Sequence, residues 1–87
     1  MKDSIPLLVG AQVRAARALL GWSQEELAQR SELNRRTIAL FEEGKSVPYS
    51  KTDDRLRQTF EASGVAFLND DKRVGVILLM PETLTIS

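Results

Sequence analysis

Three residues, Ser31, Glu32 and Leu33, separate two segments that each carry the marks of a short helix, and this spacing restricts the folds open to the chain. Ahead of them, Ser23 stands three residues before Glu26, the Ser-x-x-Glu box in which the two side chains satisfy free amides at a helix start. The helix it opens is expected over 24–30, burying Leu27 and Ala28. Beyond the turn, Asn34 suits an N-cap and RRTIALFEEG keeps helical spacing to Gly44, so a second helix is expected over 35–43. Ile38 and Phe41 share its inner face, while Arg35, Arg36, Ala39 and Glu43 turn outward. Two short helices joined in this way, the second with a polar outer face, form the arrangement that enters the major groove of DNA.

The flanks extend the helical pattern and then break it. Val13, Ala16, Arg17 and Leu20 mark one face of a helix over 9–20 that Gly21 ends. KSVPYSK reads as a loop around Pro48, after which Thr52 is expected to cap a helix over 53–63. Asp53 and Asp54 suit the positive end of its dipole, Leu56 and Phe60 pack inward, and Gly64 stops it. VAFL and VGVILLM, rich in β-branched residues, then read as two strands joined by NDDK. The expected layout is mainly α, with residues 1–64 as the helical part and 65–87 as a β extension of the same structural unit.

Composition narrows the chemistry. The 87 residues suffice for one small domain, and they include no cysteine and no histidine. Disulfides, thiol nucleophiles, Ser-His-Asp sites and ordinary zinc sites are thereby excluded, and no catalytic residue, cofactor or metal is expected. Glu26 is accounted for by the capping box, and Asp70 and Asp71 by turn propensity. Twelve basic residues balance twelve acidic ones, so attraction to nucleic acid must come from a local patch. The apolar stretch from Val74 to Met80 falls far short of the roughly 20 residues of a membrane span. With no signal-peptide pattern at the N-terminus, a cytoplasmic location and no membrane partner are expected.

The segment ARALLGWSQEELAQRSELNRRTIALFEEGKSVP also resembles the Cro/CI-type helix-turn-helix of the XRE class of bacterial and phage regulators. Gln24 opening the first helix of the pair, Leu27 with Ala28, Ile38, and Glu42 shortly before Gly44 carry the resemblance. TDDRLRQTFEASGVAFL is similar to the helix-then-strand ending of a small XRE subgroup, so the likeness spans about residues 9–78. Glu32 and Asp53 depart from it, standing where a glycine and an apolar residue are common. The resemblance implies a lambda-repressor-like domain of four helices, with room for a fifth, followed by the hairpin. It makes Ser23 and Gln24 a phosphate clamp. It puts Arg35, Arg36, Ala39 and Leu40 at the bases, counts Asn34 among the DNA-binding residues, and leaves Lys45, Ser46 and Lys51 to contact the DNA backbone. It pairs Arg17 with Glu42 as a structural ion pair and makes Trp22 a core residue joining the first two helices.

The physical chemistry agrees: helix N-termini attract phosphate, arginine grips guanine through two hydrogen bonds, and a small apolar side chain meets a thymine methyl. Paired arginines on a helix are also compatible with a plain solvated surface. The function expected is a sequence-specific transcriptional repressor that binds double-stranded DNA at a palindromic operator as a homodimer. The alternative is a protein-interaction module, such as an antitoxin masking a toxin or a bridging cofactor. Alternation places Val74, Val76, Leu78 and Met80 on one face of the last strand and Ile77 and Leu79 on the other. Because both faces are apolar, dimerisation is expected through Val65, Phe67, Val74, Val76, Ile77, Leu78 and Leu79.

Overall fold

A computed structural model describes residues 7–45 and 50–80. Within them the chain is mainly helical and ends in a hairpin: α1 (Gly10–Leu20), α2 (Gln24–Ser31), α3 (Arg35–Glu42), α4 (Ser50–Glu61), β1 (Val65–Asn69) and β2 (Val74–Leu78). The Pro48 loop, Ser46 and the segment 81–87 lie outside the described residues. Helices α1 to α4 enclose Leu8, Val13, Ala16, Leu27, Ile38, Phe41, Leu56 and Phe60, and Val65 of β1 closes this core from the hairpin side. Trp22 stacks on Phe60 at 5.6 Å between ring centroids, Phe67 meets Phe60 edge-on at 5.8 Å, and the Arg30 guanidinium covers the outer face of Trp22 at 4.4 Å. Trp22 therefore reaches across to α4 as well as bridging α1 and α2.

Local chemistry sets the helix ends. The Ser23 hydroxyl accepts the Glu26 amide at 3.0 Å, and the Asn34 side chain accepts the Arg36 amide at 2.7 Å. The reciprocal half of the expected box at Ser23 is not made. Glu26 reaches forward to Arg30 at 2.6 Å, where a guanidinium one turn along competes for its carboxylate. Gly21 ends α1 in the left-handed region, and Glu32 does the same for α2 with φ of 61°. Glu32 thus holds an L side chain in a conformation that disfavours one.

The expected start of α4 is corrected. The helix begins at Ser50, so Thr52 sits inside it and does not cap it. Asp53 stands in the first turn of α4, as the dipole argument expects, and is 3% exposed. Its carboxylate accepts the Leu8 amide at 2.8 Å and the Arg57 side chain at 2.8 Å. A buried main-chain amide ahead of α1 needs an acceptor, and Asp53 supplies it from α4. The helix also stops earlier than expected, at Glu61.

β1 and β2 pair antiparallel with Val65 opposite Leu78, Phe67 opposite Val76 and Asn69 opposite Val74. The second strand is shorter than VGVILLM, ending at Leu78. Of the four residues expected to share one face, Val76 and Leu78 pack against the core, whereas Val74 and Met80 are 55% and 63% exposed. In the turn, the Asp70 carboxylate accepts the amides of Lys72 and Arg73 and the Arg73 guanidinium. These donors, led by the Arg73 side chain, hold its pKa below the usual carboxylate value.

Gln12, which the periodicity leaves unassigned, is 1% exposed and pins the hairpin to α1. Its amide nitrogen donates to the Leu68 carbonyl, the Asn69 side chain and the Gly75 carbonyl at 3.2, 2.9 and 3.0 Å. Its oxygen accepts from the Asn69 side chain at 2.8 Å and from the Val9 amide at 3.0 Å. At the same end of α1, a Cβ on Gly10 would lie 2.5 Å from the Phe41 carbonyl oxygen and 2.7 Å from that of Glu42, so only glycine lets α1 and α3 approach this closely.

Two substitutions test these constraints by urea denaturation. Gly10→Ala is expected to destabilise by about 1–3 kcal/mol, because the clash is with backbone and outweighs the gain in helix propensity. Glu32→Gly is expected to stabilise by up to about 1 kcal/mol, because relief of the left-handed strain exceeds both the added chain entropy and the exposed pair to Arg55. A destabilised Glu32→Gly would show that the Arg55 pair outweighs the strain.

Candidate nucleic-acid interface

Helix α3 buries Ile38 and Phe41, and this anchoring decides what it offers to a ligand. Arg35 and Arg36 stand exposed in its first turn, Ala39 and Leu40 are half-buried along the same side, and exposed Asn34 caps the N-terminus. All eight arginines of the chain fall within the described residues, and six are engaged. Arg14 bonds the Glu42 carbonyl, and Arg17 bonds the Glu42 carboxylate. Arg30 pairs with Glu26, Arg55 with Glu32, Arg57 with Asp53, and Arg73 with Asp70. Arg35 and Arg36 alone have no side-chain partner among the described residues. They stand at the helix end where the backbone dipole is positive. No acidic side chain occupies that first turn.

The scaffold behind this face is tied at Glu42, 4% exposed at the far end of α3. Arg17 reaches it from α1 as a fork, Nε to Oε2 at 2.6 Å and Nη2 to Oε1 at 2.8 Å, and its remaining nitrogen donates to the Trp22 carbonyl at 3.0 Å. The hydrogen bond to Glu42, helped by its charge and opposed by burial, raises the Arg17 pKa above its already high value. Gln24, the first residue of α2, donates its amide to the same carboxylate at 3.1 Å. The residue expected at a phosphate is thus held in place by the ion pair, with a further N–H of its amide left for a ligand. Ser23 is exposed beside it, its hydroxyl accepting the Glu26 amide.

Other residues expected at the DNA fall at the periphery. Lys45 is exposed beyond α3 with its ammonium 3.7 Å from Glu43, and Lys51 is exposed in the first turn of α4. The residues expected at a dimer contact divide into two sets. Val65, Phe67, Val76 and Leu78 pack into the chain's own core, whereas Val74, Ile77 and Leu79 are 55%, 54% and 61% exposed. Side chains packed on the chain's own core have less surface left for a second chain, so the latter three offer the most exposed area. Sequence reasoning missed Gln12, Asn69 and Arg14 as positioning residues. Their long-range partners lie 28 to 63 residues away in the chain, and their types are ordinary on a helix or turn surface. Among the described residues, no group of histidine, cysteine, aspartate and glutamate is placed to hold a metal ion, and no helix is long and apolar enough to cross a membrane.

Residues 13–50, which span α1 from Val13 through α3, match the model of a helix-turn-helix family. The match supports a helix-turn-helix of the Cro/CI type over this segment, the kind of module found in DNA-binding transcriptional regulators. No curated protein matches the chain.

Removing the Glu42 carboxylate leaves Arg17 without its partner in a partly buried site. Glu42→Ala is therefore expected to destabilise by about 2–4 kcal/mol in urea denaturation. Glu42→Gln keeps an acceptor and should lose clearly less; equal losses in the two variants would place the stabilisation in the charge.

Proposed function

We propose that this chain, as a carrier of a Cro/CI-type helix-turn-helix, is a repressor that occupies a palindromic operator as a homodimer in the cytoplasm. The observation that carries the reading is the pair Arg35 and Arg36, which have no side-chain partner among the described residues at the N-terminus of α3, whereas the other six arginines are engaged. A zero net charge supplies no long-range attraction, so affinity rests on these two contacts and on geometry.

Arg35 and Arg36 grip guanine O6 and N7, Ala39 and Leu40 meet apolar base edges beside them, and Asn34 lies at the entry to the groove. Ser23 and Gln24 clamp a phosphate on one flank, while Lys45, Ser46 and Lys51 set register along the backbone on the other. The second chain docks on the outer face of the hairpin, where Leu68, Ile77 and Leu79 are exposed. A twofold pair would set two recognition helices about 34 Å apart, one turn of DNA, and bivalence would offset the low charge.

In selection from a random duplex pool, the purified protein should enrich a palindrome of two half-sites. Arg35→Ala or Arg36→Ala should cost about 1–3 kcal/mol of specific binding and relax one or two base positions. Gln24→Ala should instead weaken all sequences alike. No enriched half-site would overturn the reading in favour of a protein-interaction module of the antitoxin or bridging type. Light scattering should report a dimer for the intact chain and a monomer for Ile77→Asp; a monomeric intact chain would remove the twofold model.

A further inference from the structure

A path of polar and backbone contacts through α1 joins the hairpin to the reading helix α3. At the hairpin end, the Gln12 amide nitrogen meets both strands: the Leu68 carbonyl and the Asn69 side-chain oxygen of β1 at 3.2 and 2.9 Å, and the Gly75 carbonyl of β2 at 3.0 Å. Leu68 and Gly75 stand opposite each other in the sheet, so one amide spans the ladder at this rung. Asn69 returns a hydrogen bond to the Gln12 oxygen at 2.8 Å, which makes the two amides a reciprocal pair, and the same oxygen accepts the Val9 amide at 3.0 Å. At the α3 end, Arg14 bonds the Glu42 carbonyl, Arg17 forks onto the Glu42 carboxylate, and Gly10 admits the Phe41 and Glu42 carbonyls at a distance that no Cβ allows. Gly10, Gln12, Arg14 and Arg17 all belong to α1.

What else holds the hairpin is less directional. Val65, Phe67, Val76 and Leu78 pack on the core, and apolar contact of this kind fixes that the hairpin lies there more firmly than the angle at which it lies. The other α1 side chains beside β2, Ala11, Ala15 and Ala18, end at a methyl group and interlock little with Val74 and Val76. The angle is left to the hydrogen bonds of Gln12, a residue 1% exposed.

In the proposed dimer that angle becomes a property of the operator. With the second chain docked on the outer face of the hairpin, each α3 is carried on its own path from hairpin through α1, and the two paths set where the two readers fall on the duplex. One base pair added between the half-sites separates them by about 3.4 Å and turns them by about 35°, and each chain of a twofold pair must take up half of that turn. A hydrogen bond weakens steeply as it is bent, and bonds that converge on one amide from two strands resist the turn together. We propose that Gln12 and Asn69 are positioning residues for DNA recognition: by locking the hairpin to α1 they fix the half-site spacing that the homodimer accepts. This role rests on the homodimeric repressor reading and adds to it a determinant of specificity that touches no base.

The test compares binding of the full chain to its selected palindrome with binding to the same palindrome lengthened by one central base pair. For the natural chain the insertion should weaken binding at least tenfold. In Gln12→Met, which keeps an unbranched side chain and removes its amide, and in Asn69→Ala, the penalty should fall below threefold, while the half-site sequence enriched from a random pool stays the same. Val13→Ala, a change in the core beside Gln12, lowers stability without touching the tie and should keep the tenfold penalty. If urea denaturation shows that Gln12→Met does not fold, Asn69→Ala, at a half-buried position, decides alone. An undiminished penalty in the folded variants, the same drop in Val13→Ala, or tolerance of the insertion by the natural chain overturns the proposal and leaves the repressor reading standing. A natural chain that stays monomeric or enriches no half-site overturns both.

Discussion

The first three helices converge on one residue at the end of α3. The carboxylate of Glu42 receives Arg17 from α1 and Gln24 from α2, its carbonyl receives Arg14, and Gly10 has no side chain so that α1 can lie against that carbonyl. A helix C-terminus carries unsatisfied carbonyls and partial negative charge, and here an adjacent carboxylate adds to both. Two arginines from one neighbouring helix meet that need. The outcome is that the orientation of α3, and with it the direction in which Arg35 and Arg36 point, is fixed from the opposite end of the helix. Charge-assisted, forked hydrogen bonds are directional in a way that the apolar contacts of Ile38 and Phe41 are not.

Two further polar ties do for the periphery what Glu42 does for the centre. Asp53 holds the segment before α1 through the Leu8 amide, and Gln12 holds the hairpin through Asn69 and two carbonyls. A domain of this size buries too little apolar surface to fix every element by packing alone. Buried hydrogen-bonding groups are costly when unpaired, so each tie also makes alternative placements of the N-terminal segment and of the hairpin unfavourable.

The same economy explains how a chain of zero net charge presents a cationic face. Six arginines are consumed by carboxylates or by a helix-end carbonyl, most within one turn or at a helix contact, and their fields are largely cancelled. Arg35 and Arg36 sit in a first turn that holds no acidic side chain, and Glu32 of the preceding turn is paired with Arg55. The local field at α3 is set by which charges are already paired, a quantity that the overall balance of twelve against twelve does not contain.

What the sequence by itself determined is local: the Ser23 and Asn34 caps, the apolar spacing of α1 and α3, the glycine stops, and the switch from helical to alternating pattern after Gly64. These follow from interactions within a few residues, so the helix-turn-helix and the outward placing of Arg35 and Arg36 are legible in the order of residues alone. The tertiary structure decided what depended on partners far along the chain. Asp53 has the local surroundings of a solvated dipole residue, and an otherwise unpaired amide at Leu8 draws it inward. Gln12 has those of a surface residue, and Asn69, 57 residues on, folds over it. The alternation of VGVILLM marks two apolar faces, but only packing sends Val76 and Leu78 to the chain's own core while Val74, Ile77 and Leu79 remain outside. Periodicity records the polarity of a face; which surface meets it is fixed by the contacts of the assembled fold.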